Sequence, residues 1–128
     1  MTAHTSTLLS YKDRDLLLVN DLNPGPILRA NVGDTVRVTI INHSPNEAVS
    51  IHYHGLSMLG QPYSDGVGTE SQCSTSPMQT AINELIAQDV GMHYWHGHTS
   101  LDRLDGLQGA IVLRSQQPPR AGSQANVR

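Results

Sequence analysis

Two His-x-His pairs, His52-Tyr53-His54 and His96-Gly97-His98, carry the residue types and spacing in this 128-residue chain that suit metal chemistry. Imidazole is the commonest side-chain ligand for copper and zinc near neutral pH. On a β-strand, residues i and i+2 share a face, so each pair presents two ring nitrogens to one space. A single pair has an ordinary surface explanation. Two pairs, each beside aromatic residues and glycine, make half of a metal cluster. His4, in a polar N-terminal stretch, and His43, in a loop, read as solvated side chains. His93, three residues before the second pair, reads as a residue that packs beside the ligands.

Short strands joined by turns must position these pairs. Thr35 to Ile41 alternates polar and β-branched residues and gives the clearest strand signal. Leu16 to Val19, Ile27 to Asn31, Ala48 to His54, His93 to His98 and Gly109 to Leu113 read as further strands, with an edge strand near Thr7 to Tyr11. Asn20-Asp21, Pro24-Gly25-Pro26 and Gly33-Asp34 supply the turns between them. Residues 55–78, rich in Gly, Ser, Thr, Pro and Gln, form a long irregular connection of the kind that is functional or poorly ordered. Thr80 to Asp89 passes locally for a short helix and, in a β context, equally for a strand. Residues 1–114 make one domain and 115–128 a disordered tail. The expected fold class is all-β, a sandwich or barrel.

Composition narrows the function. A formal charge of −3 with scattered Lys and Arg argues against a nucleic-acid or anionic-membrane partner. The longest aliphatic run, Leu16 to Val19, is too short for a membrane span or a signal-peptide core, and no secretion signal is read at Met1. Aromatic content of 4%, with no Phe, is thin for a β-core and leaves Trp95 and four tyrosines as the large flat residues. The single Cys73 is either a reduced thiol or a cysteine whose partner lies elsewhere.

Seven blocks in order sharpen this reading: Asn20 to Pro26, Gly33 to Val38, His52-Tyr53-His54-Gly55-Leu56, Ser64-Asp65-Gly66-Val67, Ser71-Gln72-Cys73, Tyr94-Trp95-His96-Gly97-His98 and Asp105 to Gly109. Together they closely resemble the first cupredoxin domain of multicopper oxidases, the family of laccases and ascorbate oxidases, from about Leu18 to Leu113. The resemblance implies a cupredoxin-like Greek-key fold and copper as cofactor. It implies that His52 binds the type 2 copper, and that His54, His96 and His98 bind the paired type 3 coppers. Asp65 matches a family aspartate that assists proton delivery, against the plainer reading of a turn aspartate. Dioxygen and a phenolic or other small reductant are the implied substrates. The cluster of the family lies between two domains with four histidines from each, and four are offered here.

The sequence also departs from the family pattern. Cys73 lies between Gln72 and Ser74 with no histidine beside it, so the blue type 1 copper site is not in this chain. In many members the matching cysteine bonds to the last domain, which implies a disulfide partner outside the chain. Met78 stands where the family has glycine, and Ala81, Asn83 and Leu85 stand where it has aromatics. A poorly packed strand is expected there, at about 2–5 kcal/mol per large-to-small exchange. The cluster would then need the missing C-terminal cupredoxin domain or a second subunit. The alternative is a truncated, non-catalytic domain with weak copper or structural zinc binding. The family is mostly extracellular.

Overall fold

The computed structural model describes residues 2–8 and 14–116. Eight strands account for its regular structure: β1 (Thr2–Leu8), β2 (Arg14–Val19), β3 (Leu28–Asn31), β4 (Thr35–Asn42), β5 (Ile51–His54), β6 (Thr80–Ile86), β7 (Gly91–Gly97) and β8 (Gln108–Arg114). One 3-10 turn, Pro62–Ser64, interrupts the long connection after β5. The strands form two four-stranded sheets, in the orders β2-β1-β4-β6 and β3-β8-β7-β5. Both sheets are mixed: β1 runs parallel to β4 and β3 parallel to β8, and the other pairings are antiparallel. This is the all-β, cupredoxin-like architecture expected from the sequence. No helix among the described residues is long and apolar enough to cross a membrane.

Alternation along the strands builds the core. Val38 and Ile40 of β4, Leu85 of β6, Ile51 and Tyr53 of β5, Trp95 of β7 and Ile111 and Leu113 of β8 all point between the sheets. Trp95 fills much of that space: its ring lies against Gly109 so closely that a Cβ there would meet ring carbons at 2.4 and 2.5 Å. Its indole N–H, buried with it, donates to the Pro26 carbonyl at 3.1 Å.

Two sequence expectations are resolved by pairing. The ambiguous segment from Thr80 is a strand, because seven of its residues align with β4 in unbroken antiparallel register from Thr35↔Ile86 to Ile41↔Thr80. The N-terminal strand is not an edge strand near Thr7 to Tyr11. It spans Thr2–Leu8 and lies between β2 and β4, pairing with both. His4 accordingly lies within a paired strand, opposite Leu18, rather than in a loose end. Residues 9–13 and the expected tail from 117 onward lie outside the described residues.

The departures in β6 are absorbed locally. Asn83 and Leu85 are both buried, and the Asn83 amide donates to the Tyr53 hydroxyl at 3.3 Å. A cavity of about 10 Å³ lies beside Leu85 and Tyr53. At about 24 cal/mol per Å³ of void its cost is only a few tenths of a kcal/mol, far less than full aromatic truncation predicts. Met78, in the place of the family glycine, has φ +59 and is exposed, a left-handed conformation that a side chain adopts at some cost.

The long connection is docked against the sheet edge that carries the first histidine pair. Gly66 has φ +80, and a Cβ there would lie 1.6 Å from the Ile51 carbonyl oxygen. Val49 and Thr75 exchange backbone hydrogen bonds at 3.0 and 2.7 Å, tying down the far end of the loop. The outer edge of β5 is thereby covered, as a strand edge requires.

Candidate metal centre

Strand alternation decides which way the histidines face. In β5, Ile51 and Tyr53 are buried in the core, so His52 and His54 project from the opposite, outer face of the sheet. In β7 the same alternation sends Trp95 inward and places Tyr94 and His96 on the outer face. The antiparallel register pairs His52 with His96 and His54 with Tyr94 directly across the two strands. His98 follows the end of β7 and is exposed. A backbone bond from its N–H to the Ser50 carbonyl, 3.3 Å long, holds it beside β5.

The four rings gather at this face. Ring centroids are 5.6 Å apart for His52 and His54, 5.4 Å for His52 and His96, and 5.4 Å for His52 and His98. His96 lies 5.8 Å from both His54 and His98. One donor atom from each of His52, His54 and His96 falls within 4.8 Å of the others, close enough to share an ion. His98 touches the group through its ring but is not one of those three.

Hydrogen bonds select the tautomers. The Nδ1 of His52 lies 2.9 Å from the Asp65 carbonyl oxygen and 3.2 Å from the Asp65 carboxylate. Both are acceptors, so Nδ1 carries the proton and donates, leaving the Nε2 lone pair free. The Nδ1 of His96 donates to the Gly97 carbonyl at 2.8 Å by the same logic. Its Nε2 is then a bare acceptor, buried and without any hydrogen-bond partner. Burial lowers the pKa of His96, and the neighbouring His52, Arg103 and His54 push the same way against the Gly97 bond. The ring is therefore neutral near pH 7, the ligating form. An orphaned nitrogen of this kind, facing two other imidazoles, fits a copper or zinc ion.

Asp65 thus stands next to His52 but not among the ligand atoms. His93 is outside the cluster: its Nε2 lies 3.0 Å from the Asp89 carbonyl, and its ring packs against Gly55. His43 is exposed in a loop, and Cys73 is a free, exposed thiol.

Three features had no assignment from the sequence. The Tyr94 ring lies nearly parallel to both His54 and His96; its position two residues before His96 was the available signal. The hydroxyls of Ser50, Thr99 and Ser74 form a chain with links of 2.9 and 2.8 Å, which pins the residue after His98. Asp102 is 5% exposed, packs against Gly97 between the second histidine pair, and has an Oδ2 with no hydrogen-bond partner. The hydroxyl chain joins residues far apart in sequence, so no local pattern announces it.

Burial pushes the Asp102 carboxyl up to about 7 from 3.8, with smaller upward pushes from Glu47 and Asp105 and an opposing bond from the Thr99 backbone. Between those two values the folded chain holds a proton that the unfolded chain has released, so this group makes stability fall as pH rises through that window. Asp102→Asn removes the slope. In metal-free protein the variant is expected to match the parent near pH 4 and exceed it by about 1–3 kcal/mol near pH 8, read from urea unfolding. Equal pH dependence of the two proteins would contradict a buried, protonated Asp102.

Comparison with known proteins places this arrangement. A family model described as multicopper oxidase matches residues 1–118. An L-ascorbate oxidase from Cucurbita maxima is 38% identical over 102 residues, covering 80% of this chain and 17% of that protein. Laccase-1 from Cryptococcus neoformans var. neoformans serotype D is 36% identical over 108 residues, covering 84% of this chain and 17% of that protein. Among solved structures, a laccase from Botrytis aclada superposes with a TM-score of 0.82 at 29% identity, covering 88% of this chain and 22% of that one. The multicopper oxidase Fet3p superposes with a TM-score of 0.81 at 28% identity, covering 92% of this chain and 23% of that one. The chain spans less than a fifth of the length of the curated relatives it matches.

Proposed function

The chain belongs to the multicopper oxidase family, and from that premise we propose that residues 1–114 are its first cupredoxin domain, supplying half of a trinuclear copper cluster. The family's laccase and ascorbate oxidase relatives are copper-dependent. In this reading His52 holds the type 2 copper, and His54, His96 and His98 hold the type 3 coppers. The observation that carries it is the convergence of the His52, His54 and His96 donor atoms within 4.8 Å, with His96 Nε2 buried and unpartnered.

Copper bound between this face and a partner would supply the electrons that reduce dioxygen to water, at the expense of a phenolic or other small reductant. The chain's own residues bind and orient. The Asp65 carbonyl and carboxylate keep the His52 proton on Nδ1, and the Asp65 carboxyl, 3.2 Å from that nitrogen, would assist proton delivery to the site. The outward placement of all four histidines supports a partner on that face. A C-terminal cupredoxin domain is the first choice and a second copy the other. Cys73, exposed and free, is available for a disulfide to such a domain.

Metal analysis and spectroscopy test the proposal together. The purified chain is expected to bind copper(II) without the intense blue absorption of a thiolate-ligated ion. It should turn over a phenol with oxygen uptake only when the remaining domains are supplied. Failure to retain copper, or a blue band from the chain alone, would overturn it. A second reading, a non-catalytic domain holding one ion, draws on the same three-imidazole geometry, which suits tetrahedral zinc. Stoichiometry separates them: a trinuclear half-site gains further copper with its partner, whereas a structural zinc site saturates at one ion.

A further inference from the structure

Resting on that reading of the cluster, we propose that Tyr94 is a positioning residue for the metal site: its ring, stacked on His54 and His96 at once, sets the planes in which their donor nitrogens lie. The Tyr94 ring is 4.6 Å from His54 at an interplanar angle of 27°, and 5.0 Å from His96 at 24°. His96 also lies 30° from His98 but is tilted 40° from His54, and His52 meets its neighbours edge-on, at 75° to 83°.

Strand geometry makes the clamp. Tyr94 is directly across from His54 in the β5–β7 register, and His96 is two residues further along the same strand. Cross-strand and i+2 neighbours on one face are within ring-stacking reach. His52 and His96 are each oriented through Nδ1 by a backbone carbonyl. For His54, which is exposed, the ring that lies flat on it is Tyr94. An exposed imidazole without such a stack rotates freely about its side-chain bonds, and a ligand set loses affinity when one member must be ordered on binding. Tyr94 remains 37% exposed, so its flat face, rather than core burial, is what it contributes.

The test compares Tyr94→Phe, which keeps a flat ring, with Tyr94→Leu, which keeps apolar bulk without one. Tyr94→Thr serves as a second ring-free, strand-compatible variant should the leucine protein fail to fold. Three readouts are taken: thermal midpoint, copper(II) affinity, and the ring-proton NMR shifts of His54 and His96 in metal-free protein. Tyr94→Phe is expected to match the parent in all three. The ring-free variants should keep the thermal midpoint while losing the ring-current shifts, and bind copper(II) roughly tenfold more weakly. Parent-like ring shifts and affinity in a ring-free variant would overturn the clamp, as would equal losses in Tyr94→Phe, which would assign the role to the hydroxyl. If the parent itself takes up no copper, the functional reading fails, and the metal-free ring shifts still decide on the clamp.

Discussion

Replacing His96 by alanine is expected to leave the chain folded while weakening copper(II) binding by at least about a hundredfold, a loss beyond that of an outer hydrogen-bonding partner. His96 belongs to the group of three converging donor atoms, and its Nε2 is the buried nitrogen left without a partner. An unsatisfied buried acceptor costs about 1–3 kcal/mol in desolvation. Removing it therefore offsets part of the packing lost with the ring, and the metal-free variant should have a thermal midpoint close to that of the parent. Lost affinity at unchanged stability is the signature of a residue kept for binding rather than for folding. His98→Ala provides the contrast. Its ring lies beside the group without joining it, so the isolated chain should lose less than about tenfold in affinity. Isothermal titration with copper(II), alongside thermal unfolding of each metal-free protein, reads both quantities. Parent-like copper binding by His96→Ala would remove the basis for the site.

Gly66→Ala should have the largest effect on folding. The new Cβ would lie 1.6 Å from the Ile51 carbonyl oxygen, and its other near neighbours are the Ile51 carbonyl carbon and the His52 nitrogen. These are backbone atoms of β5, so no side-chain rotation relieves the overlap. A positive φ of 80° adds its own cost for any residue with a Cβ. Together these place the loss at about 3 kcal/mol or more, the range reserved for overpacking and backbone conflict. If the chain survives by moving the loop, Asp65 moves with it, and the His52 Nδ1 loses its acceptor. Urea unfolding measures the first effect, and the ring-nitrogen NMR shifts of His52 the second. A variant within about 1 kcal/mol of the parent would show that the loop does not pack on β5 as described.

Much of the fold could be read locally. Thr35 to Ile41 alternates so regularly that its identity as a strand needs no neighbour. The segment Ala81 to Ala87 is different. Its residues suit a helix as well as a strand, and only seven-residue pairing with β4 selects the extended form. The place of β1 was likewise invisible, because whether a strand is central or at an edge depends on which distant segments reach it. The weak aromatic content of β6 suggested a packing defect. Leu85 and the Asn83–Tyr53 hydrogen bond instead close the space, a compensation that spans thirty residues of sequence.

By itself the sequence determined the four histidines, their spacing on two strands, the family resemblance and the want of a histidine beside Cys73. All of these are matters of residue type and short-range order. Tertiary structure decided which atoms meet. It brought His52, His54 and His96 within reach of one ion and left His98 at the margin. It placed the Asp65 carbonyl on His52, Tyr94 beside His54 and His96, and Asp102 against Gly97. The physical reason is that alternation along a strand settles only the face a side chain takes. The register between strands, set by distant backbone pairing and by loops such as the one at Gly66, settles its neighbours.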